Sequence, residues 1–125
     1  MRRAVVMLAV LAVALAGAGA VRADGDPASD FLLVQKVFFN PEEIPKAQQN
    51  AITAVVRSAN ENGYPIRVAL IGSDYDLGAV TSLWHKPARY AKFLSFELTY
   101  YYKGRLLIVM PNGFGFVWTK HDTAA

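Results

Sequence analysis

Four stretches of the chain have apolar patterns that predict separate elements of secondary structure. Across Ile44–Ala59, apolar residues recur every three or four positions, the spacing of a helix with one buried face. Ile66–Gly72 and Arg105–Met110 are short and largely apolar, which is typical of strands covered on both faces. A second helical stripe lies in Pro87–Tyr102. The chain order of these elements is therefore helix, strand, helix, strand.

This order predicts the fold class. A strand, a helix and a second strand that are joined right-handedly place the two strands parallel. Asn112-Gly113 lies between the second strand and the apolar segment Phe114–Trp118, and Asn-Gly between apolar runs favours a hairpin. We therefore expect an α/β protein, a small sandwich whose mixed, partly parallel central sheet is flanked by helices.

Turn residues set the expected limits of the first helix. Asn40–Glu43 has the composition of a helix start, with Asn40 as the cap. Pro45 removes a helical hydrogen bond, so either the helix kinks there or its regular part begins near Pro45. Asn62-Gly63 predicts its end. The segment before this helix, Phe31–Phe39, is predicted to be extended, and an edge strand is the specific structure that we expect there.

Residues 1–23 have the composition of an export signal: two arginines, an apolar run and a small-x-small cleavage pattern at residues 21–23. The alternative is an uncleaved membrane anchor, because the apolar run is nearly long enough to span a bilayer. We expect a signal peptide at 1–23, a tether at 24–30 and one α/β domain at 31–125. The domain is then extracytoplasmic: periplasmic, in the cell envelope or secreted.

Charge and cysteine content exclude some classes of partner and of stabilisation. The chain carries a net charge of +3, but three arginines lie in the predicted signal. Ten Lys and Arg then face ten Asp and Glu, so the domain has no excess of positive charge for nucleic acid. With no cysteine in the chain, the domain has no disulfide and depends on its apolar core.

Two acidic residues follow the first buried strand. Asp74 and Asp76 lie where ligands bind in open α/β sheets, and Asn112 follows the neighbouring parallel strand. Their oxygens suit Ca²⁺ or Mg²⁺, and we predict a divalent cation site at Asp74, Asp76 and Asn112. The alternative is purely conformational: an Asp-stabilised turn and a hairpin turn that needs positive φ. The spacing of zinc ligands and the motif of a serine hydrolase are both missing.

Aromatic residues surround the second helix. Phe93, Phe96 and Tyr100 lie in this predicted helix, and a helix with aromatic residues on several sides must bury more than one face. One explanation is packing against the sheet. The other is an exposed apolar patch that contacts a partner or a membrane, and we predict partner binding through Phe93, Phe96 and Tyr100.

Four segments resemble the TPM domain family, named after a thylakoid phosphatase, a photosystem II repair protein and a receptor modulator. They are Asn40–Glu43, Ile66–Ser73, Tyr90–Leu94 and Arg105–Pro111, and the likeness covers about two thirds of the chain. It implies an α/β sandwich with a site at the strand ends and an accessory role at membrane-associated complexes. Phosphatase activity or cation binding is implied for some members. The chain ends before the later helix of the family. Two explanations are therefore open: a shortened member of the family, or a truncated reading frame.

Together these observations predict an exported, non-catalytic accessory or binding domain that acts on a membrane-associated complex and binds a divalent cation. The alternative is a metal-assisted phosphatase in which the same acidic loop holds the ion. The sequence identifies neither a nucleophile nor a general base for that reaction.

Overall fold

The computed structural model describes residues 26–121. The predicted signal peptide and the first two residues of the predicted tether lie outside this range. Two 3₁₀ turns, Asp74–Leu77 and Thr81–Leu83, separate the second strand from the last helix. The helices and strands, in chain order, are α1 (Pro27–Val34), β1 (Val37–Phe38), α2 (Lys46–Glu61), β2 (Ile66–Leu70), α3 (Pro87–Glu97), β3 (Arg105–Met110) and β4 (Gly113–Trp118).

The four strands form one sheet in the order β1-β2-β3-β4. β1, β2 and β3 are parallel, and β4 returns antiparallel to β3 through the Asn112-Gly113 turn. The register pairs Ile66 with Arg105 and Arg105 with Trp118, so these three residues lie in one row across the sheet. The α/β class with a mixed, partly parallel sheet is confirmed.

Helices cover both faces of the sheet, because alternate residues of each strand point to opposite sides. On one face α1 and α3 bury Ala69, Leu106 and Ile108 in the main core. On the other face α2 covers β1 and β2, where Val56 packs against Val68. Beyond α2 the second face is open, and Phe114 of β4 is 72% exposed there.

α1 corrects the predicted start of the domain. The chain is helical from Pro27, within the predicted tether, and stays helical to Val34, so the extended conformation predicted from Phe31 is wrong up to that residue. Ala28 and Leu32 are fully buried in the main core. Burial of this face outweighs the weak helical preference of so short a segment. The predicted edge strand does occur, as β1.

α2 begins at Lys46 after Pro45, so the second of the two predicted starts is confirmed. The preceding turn is held from within the helix, because the side chain of Gln49 donates hydrogen bonds to the carbonyls of Pro41 and Ile44, at 3.1 and 2.7 Å. The helix ends at Glu61, before Asn62 and Gly63, as predicted. Gly63 has a φ of +81°, a conformation that glycine adopts without strain.

α3 is shorter than predicted and lies very close to β4. It ends at Glu97 rather than at Tyr102, because the chain must reverse after the buried Leu98 to start β3. The hydroxyl of Tyr102 donates to the carbonyl of Arg105 at 2.6 Å and fastens this reversal. At the other end of α3, a Cβ on Gly115 would overlap the backbone of Pro87, so glycine is required there.

Candidate functional site

The carboxyl ends of β1 and β2 bring two loops together. One loop is the turn Asn40–Glu43 after β1, and the other is Gly72–Asp76 after β2. Four polar side chains meet between them through hydrogen bonds of 2.9 to 3.2 Å. We call this group the carboxylate cluster; its members are Asn40, Glu43, Ser73 and Asp76.

Asp76 is the buried member, with 3% of its surface exposed. One carboxylate oxygen accepts the backbone N–H groups of Gly72 and Ser73 at 3.0 and 3.2 Å. The other oxygen accepts the side-chain amide of Asn40 at 3.2 Å. These three hydrogen bonds fix the orientation of the carboxylate. Asp76 is therefore a preorganised carboxylate that also shapes the turn.

Glu43 lies beside Asp76 and is open to solvent. The hydroxyl of Ser73 donates to one of its oxygens at 2.9 Å, and Asn40 donates to the same oxygen at 3.1 Å. A Cβ on Gly72 would overlap the other oxygen, so a glycine at the strand end admits this carboxylate. Desolvation and the adjacent carboxylate of Asp76 raise the pKa of Glu43, as expected for like charges in contact.

The predicted cation ligands have different surroundings. Asp76 belongs to the carboxylate cluster, whereas Asp74, in the same 3₁₀ turn, is exposed. The side-chain amide of Asn112 donates to the carbonyl of His85 at 2.8 Å and so ties the hairpin turn to the start of α3. Within residues 26–121, no three His, Cys, Asp or Glu side chains come together as ligands for a metal ion.

Sequence reasoning missed Glu43 and Asn40 as members of the site. Asn40–Glu43 was interpreted as a helix cap, and the Asn-x-x-Glu pattern does form a local hydrogen bond of 3.1 Å. A usable signal was present in the short apolar segment before it. Had Val37–Phe38 been assigned as a third parallel strand, its carboxyl end would have placed Asn40 at the same sheet edge as Asp76.

A small apolar cavity of about 190 Å³ adjoins the cluster. Phe31, Phe38 and Tyr75 contribute to its walls, and Asn40 and Asp76 line its polar side. An apolar pocket with a few oriented polar groups is the usual form of a small-molecule site, although this one is smaller than most. The carboxylate cluster therefore combines charged oxygens with an apolar cavity next to them.

The three aromatic residues predicted to bind a partner separate into two groups. Phe93 is half-buried and stacks on Tyr90, with ring centroids 6.2 Å apart, so it packs against the core. Phe96 and Tyr100 are exposed and remain available for contact. Core packing therefore explains Phe93, and the exposed-patch interpretation applies to the other two.

A second carboxylate lies in the core beneath α1. Asp26 accepts a 2.5 Å hydrogen bond from the hydroxyl of Tyr90, while its other oxygen is buried without a hydrogen-bond donor. Burial raises the pKa of Asp26 to about 6, with a smaller contribution from the charge of Glu97. Burial also raises the pKa of Tyr90. This pair fastens the start of α1 to α3.

Comparison with known proteins leaves the family open, since no family model, curated protein or solved structure matches the chain. The likeness to the TPM family stays a prediction. Among the helices of residues 26–121, none combines the length and apolar character needed to cross a bilayer.

Proposed function

We propose that this protein is an exported, non-catalytic accessory or binding domain that holds a divalent cation at the carboxylate cluster. The observation that carries the proposal is that the side-chain amide of Asn40 donates to both carboxylates, to Glu43 at 3.1 Å and to Asp76 at 3.2 Å, and so brings two like charges together. Two like charges at one position are stable when a proton or a cation lies between them. The export signal predicted at residues 1–23 supports the extracytoplasmic placement.

The donor set favours a hydrated ion. Glu43 and Asp76 offer carboxylate oxygens, and Ser73 adds a hydroxyl oxygen on the solvent side. Mg²⁺ is usually bound by one or two carboxylates and keeps several waters, whereas Ca²⁺ takes six to eight oxygen ligands. The cluster therefore suits Mg²⁺ better than Ca²⁺. Asp74, which is exposed, and Asn112, which is bonded to His85, are the other predicted ligands and are not assigned to the ion in this proposal.

The chemistry of the cluster favours binding over catalysis. Its hydrogen bonds come from amides and a hydroxyl, and both histidine rings are engaged elsewhere. His85 stacks on Trp84 and His121 stacks on Trp118, with ring centroids 4.4 and 3.5 Å apart. A metal-assisted phosphatase needs a positioned nucleophile and a proton acceptor in addition to the ion. The binding role requires only the oxygens that the cluster provides.

Thermal unfolding with excess Mg²⁺, Ca²⁺ or EDTA tests the proposal. A cation that binds only the folded protein, at about 100 times its dissociation constant, stabilises it by roughly 2.7 kcal/mol. We expect Mg²⁺ to raise the melting temperature of the wild type and to have little effect on Glu43→Gln. Because a proton competes with the cation for Glu43, the stabilisation should shrink as the pH falls.

Asp74→Asn is the matched control, since it removes one carboxylate from the same turn without touching the cluster. It should keep the full response to Mg²⁺. A wild type that is indifferent to both cations, or an Asp74→Asn variant that loses as much as Glu43→Gln, would contradict the proposal.

A further inference from the structure

The end of the sheet opposite the carboxylate cluster carries large exposed aromatic side chains. Phe96, Tyr100 and Tyr101 are 77, 94 and 68% exposed, and they lie in the last turn of α3 and the reversal that follows. The paired residues Arg105 and Trp118 mark this end of the sheet, and one lysine lies two residues outside each of them. We call this group the basal surface; its members are Phe96, Tyr100, Tyr101, Lys103 and Lys120.

Charge is distributed unevenly between the two ends. The amino ends of the parallel strands, where α2 and α3 finish, carry four cationic side chains and two carboxylates: Lys36, Lys103, Arg105, Lys120, Glu61 and Glu97. The carboxyl ends, where α2 and α3 begin, carry three cationic side chains and four carboxylates: Lys46, Lys86, Arg89, Glu42, Glu43, Asp74 and Asp76. Glu97 acts electrostatically on Asp26 under α1, which places it on the α1 side of α3. From Leu98 to His121 the chain has no acidic residue. The basal surface is therefore positive, and the carboxylate cluster lies at the negative end.

A stack of rings and a guanidinium lies at the same end of the sheet as the basal surface. The guanidinium of Arg105 lies over the ring of Tyr64 at 3.7 Å and over the ring of Trp118 at 4.0 Å. Such cation–π contacts hold side chains in a fixed arrangement. The reversal that carries Tyr100 and Tyr101 is likewise fastened by the hydrogen bond of Tyr102 to Arg105.

We propose that the basal surface docks on an anionic phospholipid bilayer. Lysines next to an anionic surface each add favourable electrostatic energy, and Tyr and Phe settle at the level of the lipid headgroups. A side chain that is 94% exposed, like that of Tyr100, projects outward. Projecting side chains can insert among lipid headgroups, which rearrange around them. A folded protein partner would instead need a complementary pocket for each side chain.

Docking at this end fixes the orientation of the whole domain. The strands then run roughly perpendicular to the membrane surface, and the carboxylate cluster is at the end of the sheet that points away from the membrane. Six residues of β3, at about 3.3 Å each, separate the two ends by roughly 20 Å. The cluster would remain in water above the headgroups, where a cation or a second molecule can reach it.

The binding of the protein to lipid vesicles tests the proposal. The wild type and all variants are purified in the same form, with the predicted signal peptide either present in all of them or removed from all of them. The probes are vesicles of phosphatidylcholine alone and vesicles that also contain phosphatidylglycerol, and the bound fraction is measured by sedimentation at low and at high salt. We expect binding to the anionic vesicles that weakens with salt. Lys103→Gln together with Lys120→Gln should weaken it roughly 25-fold, about five-fold for each lysine. Phe96→Ser together with Tyr100→Ser should weaken it about ten-fold.

Matched controls come from the opposite end of the molecule. Tyr75 is 81% exposed beside the carboxylate cluster, and Lys46 is exposed at the start of α2. Tyr75→Ser and Lys46→Gln should therefore bind anionic vesicles as the wild type does. Failure of the wild type to bind at low salt would overturn the proposal, and so would an equal loss in the control variants. Equal binding to both vesicle types that no variant alters would also overturn it.

Discussion

At the scale of single residues, the clearest strain is the buried carboxyl group of Asp26. Only one of its two oxygens has a hydrogen-bond donor, the hydroxyl of Tyr90. A buried charge that is only half satisfied is costly, so the folded protein holds the proton of Asp26 more tightly than the unfolded chain does. The pKa rises from 3.8 to about 6 for this reason.

This shift predicts a stability that depends on pH. Because the folded-state pKa is the higher one, the unfolded state loses its proton first as the pH rises. The free energy of unfolding therefore falls between pH 3.8 and about 6, by about 3 kcal/mol at 1.36 kcal/mol for each unit. Asp26→Asn keeps an acceptor for Tyr90 but carries no charge, so it should flatten this part of the profile.

Urea unfolding of the wild type and Asp26→Asn across this pH range checks the prediction. Tyr90→Phe is a useful second variant, because it removes the donor and should push the fall in stability to higher pH. Parallel profiles for the wild type and Asp26→Asn would show that another group causes the pH dependence.

Glu43 illustrates how much of the site the sequence could predict. Asp76 was found because its place after a buried strand is a local feature of the chain. Glu43 and Ser73 are 30 residues apart and form a hydrogen bond only in the folded protein. The local sequence Asn40–Glu43 is compatible both with a helix cap at Asn40 and with a cation ligand at Glu43. Only the contact with the neighbouring loop distinguishes these two roles.

At the scale of elements, α1 changes the extent of the domain. It has eight residues, too few to be stable as an isolated helix. The guanidinium of Arg67 donates a hydrogen bond to the carbonyl of Leu32, and Leu32 itself is fully buried. α1 is therefore part of the core and not a tether.

Truncation of Leu32 tests the contribution of this helix. Leu32→Ala should lower the free energy of unfolding by about 2 to 5 kcal/mol, because it leaves a cavity in the main core. Val34 lies in the same helix but is 83% exposed, so Val34→Ala should have little effect. Chemical denaturation of both variants gives the comparison, and a negligible loss for Leu32→Ala would show that α1 does not contribute to the core.

The local sequence pattern predicted the limits of the other elements with different accuracy. α2, β2 and β3 have strong periodicity or a continuous apolar run, and the structure places them close to the predicted limits. α3 ends five residues early, since the need to bury Leu98 and reverse the chain is stronger than the helical preference of the three tyrosines that follow. The position of such a reversal depends on where the next strand must begin.

At the scale of the whole molecule, the sheet is covered unevenly. β2 and β3 each have a strand on both sides and face the main core, and α2 covers β2 on the other face, whereas β4 is an edge strand with an open face. Regions with fewer buried contacts open at lower free energy. The structure should therefore be most resistant to opening at its centre.

Hydrogen exchange measured for individual amides checks this distribution. We expect the amides of Val68 and Ile108 to exchange slowest, and those of the 3₁₀ turn Asp74–Leu77 to exchange roughly 100-fold faster or more. If β4 were as protected as β3 over its whole length, another molecule or another copy would have to cover its edge.

The sequence by itself determined the α/β class, α2, the two central strands and the hairpin, because apolar periodicity and turn residues act over a few neighbouring positions. Tertiary structure alone decided that α1 is helical, that Glu43 meets Asp76 and that the exposed aromatic residues share one end with Lys103 and Lys120. The hydrogen bond between Asp26 and Tyr90 spans 64 residues. Contacts over such distances arise from the packing of the whole sheet and have no local signal in the chain.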